Sequence, residues 1–178
     1  MDRTSDEDLM KSVYEGRLDR LNTLCQRYQR RIFGYMLKST LNAEDSADLA
    51  QQVFIRALKY RKSYRIGKSF EMWVFQIARN VLKDYFRKMK IHNERYEFID
   101  QIPDMVDEVD EEKLENEKKL IRAMEQLPED KRELLVLSKF EGMKYEQIAE
   151  LRSMSVSAVK VQVHRTMKRL KELYFNLN

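Results

Sequence analysis

The sequence predicts an all-α chain: two small helical domains joined by an acidic flexible linker, the second domain closing on a helix-turn-helix. Three observations carry this. Four Gly and two Pro stand against 36% charged and 43% hydrophobic residues in a chain of 178, a composition that favours helix over extended sheet and suffices for hydrophobic cores. Apolar residues recur at intervals of three and four through both halves, the period of a helix with one buried stripe. Charge is segregated: residues 100–117, "DQIPDMVDEVDEEKLENE", hold nine acids and one Lys, a balance of −8, so the remainder of a +4 chain sums to +12. That stretch contains Pro103 and lacks a sustained apolar stripe, which marks a linker at 96–117 between domains at 1–95 and 118–178.

A first helix is expected from Ser5, with Ser5 and Asp8 at capping-box spacing. Leu9, Val13, Leu18, Leu21, Leu24, Cys25, Tyr28 and Ile32 continue an apolar pattern as core, broken or bent near Gly16. Asn42 is a cap for "AEDSADLAQQVFIRALKYRK", whose inward stripe is Ala47, Ala50, Phe54, Ala57 and Leu58, with Asp48, Gln51 and Gln52 away from its centre. Gly67 separates it from "SFEMWVFQIARNVLKDYFRKMK", where Phe70, Val74, Ile77, Ala78, Val81 and Tyr85 lie inward. Phe75, Arg79, Lys83, Phe86 and Arg87 fall on its other sides. Helicity resumes from about Glu111, ends before Pro128, and returns in "EDKRELLVLSKF", which Gly142 stops.

The last pair lies in "KYEQIAELRSMSVSAVKVQVHRTMKRLK". Tyr145, Ile148, Ala149 and Leu151 share one side of its first helix. Ser155 caps the second, in which Val159, Val163, Met167 and Leu170 form a stripe. The opposite face carries Ser157, Val161, His164, Arg165 and Lys168, with Lys160 and Lys171 at its edge. A second helix of this kind can enter a DNA major groove; the same pattern also fits a helical hairpin with a solvated basic face.

Residues 56–95 carry twelve Lys plus Arg against three acids, and 152–173 six against one. Two cationic blocks suit two contacts with a polyanion, where counterion release supplies affinity, or two solvated surfaces. Tyr64, Trp73, Phe75, Tyr85 and Phe86, interleaved with bases, are either stacking platforms for unpaired nucleotides or core; most are assigned to core, and Trp73 sits at the flank of the stripe. Enzyme chemistry is excluded. There is no Gly-rich phosphate loop or nucleophile elbow, and one Cys with His92 and His164 cannot build a zinc site. No metal, cofactor or small-molecule substrate is expected. No apolar run reaches the roughly 18–20 residues that cross a bilayer, and the polar N-terminus with a lone cysteine points to the cytoplasm.

Together the two halves resemble the extracytoplasmic-function (ECF) group, group 4, of the sigma-70 family of RNA polymerase sigma factors. "AEDSADLAQQVFIRAL" is similar to the family's polymerase-docking helix. "SFEMWVFQIARNVLKDYFRK" is similar to its promoter-melting, −10-reading helix, and the segment from "LPEDKRELLVL" to Lys171 to its −35-reading domain. The resemblance implies an alternative sigma factor that binds core RNA polymerase and promoter DNA, with an anti-sigma factor as a further partner. It implies a polymerase-docking surface at Asp48, Gln51 and Gln52, and −10 contacts from Tyr64, Trp73, Arg79, Asn80, Lys83 and Arg87. Asn80 would stand near the pocket for an extruded base. Ser157, Lys160, Val161, His164, Arg165 and Lys168 would meet the −35 duplex. The linker would thread a positive channel of the polymerase or serve as a tether.

Departures are Ser153 where the family has Gly, Ala158 where it has Thr, Gln162 where it has Arg, and Lys144 where a capping Ser is usual. Gln lacks charge and suits adenine, so the −35 preference is expected to be unusual. A stand-alone helix-turn-helix regulator and a helical protein-interaction adaptor are the rival readings.

Overall fold

The computed structural model describes residues 4–92 and 111–177. The predicted linker lies outside the described residues as far as 110; its last part, 111–117, is helical. Among the described residues there are eight α-helices and no strand, and none of the helices is long and apolar enough to cross a membrane. The chain divides into two units, one of residues 1–36 and 44–97 and one of 37–43 and 98–178.

The first unit draws on α1 (Asp6–Tyr14), α2 (Arg20–Thr40), α3 (Ala43–Lys59) and α4 (Phe70–His92), with a single 3-10 turn at Arg61–Ser63 before α4. Ser5 caps α1 as expected, its hydroxyl oxygen accepting the Asp8 amide at 3.1 Å. Gly16, at φ 112°, breaks the first apolar run into α1 and α2. Leu9, Met10, Val13, Leu24, Ile32, Tyr35, Phe70, Val74 and Phe75 make the core. Its aromatic rings meet edge to face: Tyr28 on Phe70 at 5.1 Å and Tyr35 on Phe75 at 5.6 Å.

Carboxylates at the start of α1 hold this core shut. Asp6 pairs with Arg27 at 2.6 Å and accepts the Tyr28 hydroxyl at 2.7 Å. Burial, reinforced by that bond, pushes the Tyr28 phenol well above its ordinary pKa. Glu7 accepts the backbone amide of Phe70 at 3.1 Å. It thereby satisfies a donor that the first turn of α4 leaves without an intrahelical partner.

Several expected apolar positions differ from the fold. Leu18 is exposed. On α3 the inward residues are Ser46, Leu49, Ala50, Val53 and Ala57, while Ala47 and Leu58 face out and Phe54 is half-buried. On α4 the buried surface is broader, adding Phe75, Arg79 and Leu82, and Tyr85 is only half-buried.

The second unit holds α5 (Glu111–Glu125), α6 (Glu129–Leu135), a π-helical turn Val136–Phe140, α7 (Tyr145–Arg152) and α8 (Val156–Asn176). α6 and the turn run on to Phe140, and Gly142 at φ 65° ends them. The core is Ala123, Leu134 to Leu137, Ile148, Leu151, Val159 and Val163, closed by Leu170 and Leu173. Met167, expected in the α8 stripe, is half-buried; Thr166 takes the inward place, its hydroxyl donating to the Gln162 carbonyl at 2.7 Å.

Candidate polymerase and promoter interfaces

The turn of the helix-turn-helix is built by local hydrogen bonding. The Met154 amide reaches back to the Ala149 carbonyl at 2.9 Å and the Ser153 amide to Glu150 at 3.2 Å, the two bonds of a Schellman stop. This geometry forces Ser153 to φ 54°, ψ 50°, the left-handed region that costs an L side chain roughly 1 kcal/mol. Ser153→Gly is therefore expected to stabilise the second unit by about 1 kcal/mol, read as a higher denaturant midpoint with unchanged slope.

Ser155 caps α8, accepting the Ala158 amide at 3.1 Å. Lys144 supplies no such oxygen to α7. Gln147 provides the reciprocal half of the box, its side chain accepting the Lys144 amide at 2.9 Å. Beneath the surface Arg152, at the end of α7, ties that helix to α6. Its guanidinium donates to the Asp130 carbonyl at 2.7 Å and meets the Glu133 carboxylate at 3.3 Å. Both side chains are below 10% exposed.

With Val159, Val163, Thr166 and Leu170 buried, α8 turns Ser157, Lys160, Val161, His164, Arg165 and Lys168 to solvent together. This face mixes cations, which neutralise phosphate, with short polar and apolar groups able to meet base edges.

On α4 the predicted −10 residues divide. Asn80, Lys83 and Arg87 are exposed along one side. Asn80 accepts a bond from the Gln76 side chain at 3.3 Å, and Arg87 pairs with Asp84 at 2.9 Å. Asp84 also takes Arg56 of α3 at 2.8 Å, and Tyr85 donates to Asp45 at 2.8 Å, so α3 fixes the cationic end of α4. Arg79 and Tyr64, at 9% and 3% exposure, are interior. Tyr64 donates to the Lys68 carbonyl and lies edge-on to Trp73, 5.5 Å between centroids. Burial, with Glu7 nearby, raises its phenol pKa. Neither residue presents a surface to a nucleic acid in this conformation. Trp73 is half-buried.

On α3, Asp48, Gln51 and Gln52 are exposed, and the same face continues into Ile55 and Leu58. Ile55 is 64% exposed. The apolar end of this face was missed in the sequence, although an isoleucine outside the expected stripe marked it.

Residues 24–90 match the model of Sigma-70 region 2, and residues 117–170 that of Sigma-70, region 4. The RNA polymerase sigma factor CarQ of Myxococcus xanthus is 30% identical over 165 residues, covering 92% of this chain and 94% of that protein. The ECF RNA polymerase sigma-E factor of Haemophilus influenzae is 28% identical over 176 residues, 92% of each chain. The sigma factor RpoE of Bartonella quintana, solved in complex with the anti-sigma factor NepR, has the same fold, with a TM-score of 0.70 at 21% identity over 88% of this chain and 98% of that one. With two sigma-70 regions in order and relatives matched along nearly their whole length, this chain belongs to the extracytoplasmic-function RNA polymerase sigma factors, non-enzymatic proteins that direct transcription initiation.

Proposed function

We propose that the protein docks on core RNA polymerase through the exposed face of α3, handles the −10 strand with α4, and reads the −35 duplex with α8. The observation that carries this is α8 itself: six residues of the binding chemistry share one solvent face while the opposite stripe is packed. Two separate modules then divide the work between intact and opened DNA, with the domains at 1–95 and 118–178 spanned by the acidic segment at 96–117. An anti-sigma factor is a further partner, in keeping with the complex of the Bartonella protein, and the site of action is the cytoplasm.

On α4, Asn80 offers a carboxamide beside Lys83 and Arg87. Extruding a base costs a few kcal/mol, and hydrogen bonds to its edge offset part of that. Asn80→Ala is expected to lower open-complex formation about tenfold while leaving polymerase affinity within twofold. Permanganate footprinting of melted thymines, set beside a binding titration, checks both; equal losses would contradict the role.

Transcription in vitro with purified core enzyme, followed by mapping of start sites, tests the whole reading. The expected result is initiation at a restricted promoter class and no firm DNA binding by the chain alone. A palindromic footprint without polymerase would establish the stand-alone regulator instead.

A further inference from the structure

Val161 is the apolar member of the α8 face. It is 46% exposed, and its neighbours one turn away are Ser157 and Ala158 before it and His164 and Arg165 after it. Ser157, His164 and Arg165 are polar and exposed. Ala158 is half-buried and adds a methyl surface next to the isopropyl group, at the position where a threonine hydroxyl is usual in the family. Gln162, the following residue, turns to the flank, its Oε1 accepting from Lys131 of α6 at 3.2 Å. Single exposed valines are ordinary on protein surfaces. This one lies in the second turn of the second helix of a helix-turn-helix, the part that meets base edges when such a helix enters a major groove. Lys160, Arg165 and Lys168 on the same face supply cations for the flanking phosphates.

We infer that Val161 reads the C5 methyl group of a thymine in the −35 element. This rests on the −35 reading of α8 given above. An isopropyl group neither donates nor accepts a hydrogen bond, so the polar edges of guanine, cytosine and adenine would lose water beneath it and gain no partner. The thymine methyl is the one apolar group on the major-groove edge. Valine in a helix holds a single χ1 rotamer about 90% of the time, so its shape is set before docking. Such a contact selects an A·T pair in one orientation, because only one side of the pair carries the methyl.

The test uses the full chain with core polymerase, transcribing a promoter library randomised through the −35 element. Transcription should select an A·T pair in fixed orientation at one position. Replacing that thymine by deoxyuridine, which removes the methyl alone, should lower output about fourfold. With Val161→Ala the same replacement should change output by less than about 1.5-fold, since the side chain that senses the methyl is gone. The comparison is made within each chain, so a loss of folding would scale both templates alike. Equal sensitivity to deoxyuridine in the two chains would overturn the inference, as would a selected −35 element with no required thymine or with none whose methyl matters. Output that ignores the −35 sequence altogether, or failure of the unsubstituted chain to initiate at any promoter, would instead remove the −35 reading and take this inference with it.

Discussion

Arg152→Ala is expected to destabilise the second unit by about 3 kcal/mol, because it removes the guanidinium paired with the buried Glu133 carboxylate. The loss has two parts. The guanidinium bond to the Asp130 carbonyl disappears, and the carboxylate, less than 10% exposed, loses its 3.3 Å partner. Breaking such a pair is worse than never having it. The double substitution Glu133→Leu with Arg152→Met should recover most of the loss, since well-packed apolar groups replace a buried pair at little cost. The two units can be followed separately. The single tryptophan, Trp73, belongs to the first unit, so its fluorescence transition should stay in place. The helical signal of the second unit should melt at least about 12 °C lower. A single-variant shift below 3 °C would show that Arg152 is not holding α7 against α6.

Asp48→Arg should abolish stable association with core polymerase while leaving the fold intact. Asp48 is exposed, so no internal contact is sacrificed. If a cationic partner faces it, reversal of charge replaces attraction with repulsion, and like charges across an interface cost several kcal/mol. Ile55→Asp is the companion test. An isoleucine that exposed contributes about 1.5–3 kcal/mol when an interface covers it, so its loss should weaken docking at least about tenfold. Surface binding of immobilised core enzyme measures both, and circular dichroism confirms folding. Normal capture of the Asp48→Arg variant would refute the docking face.

Which parts of this were legible beforehand follows from what sets each feature. Caps and stops are local, so Ser5, Gly16, Gly142 and Ser155 could be placed from their neighbours in sequence. The α8 face was equally clear, because apolar and polar residues separate cleanly around it. α3 was not. Phe54 and Leu58 drew the expected stripe outward, whereas the folded chain buries Ser46, Leu49 and Val53 beside the expected Ala50 and Ala57. A serine at full burial is not what periodicity looks for. α4 failed differently: it is buried over more than one side, so Phe75 and Arg79 lie inside although a single-stripe helix would show them to solvent. The Lys131–Gln162 contact joins residues 31 apart, and no local pattern announces it.

The bond from the Phe70 amide to Glu7 spans 63 positions of the chain. On a ribosome adding roughly 5–20 residues each second, α1 therefore waits about 3–13 s before the backbone it must cap has even been made. During that interval Leu9, Met10 and Val13 have no α4 to cover them. α1 thus keeps its apolar face uncovered until α4 has been made, and slow codons before residue 70 would lengthen that exposure.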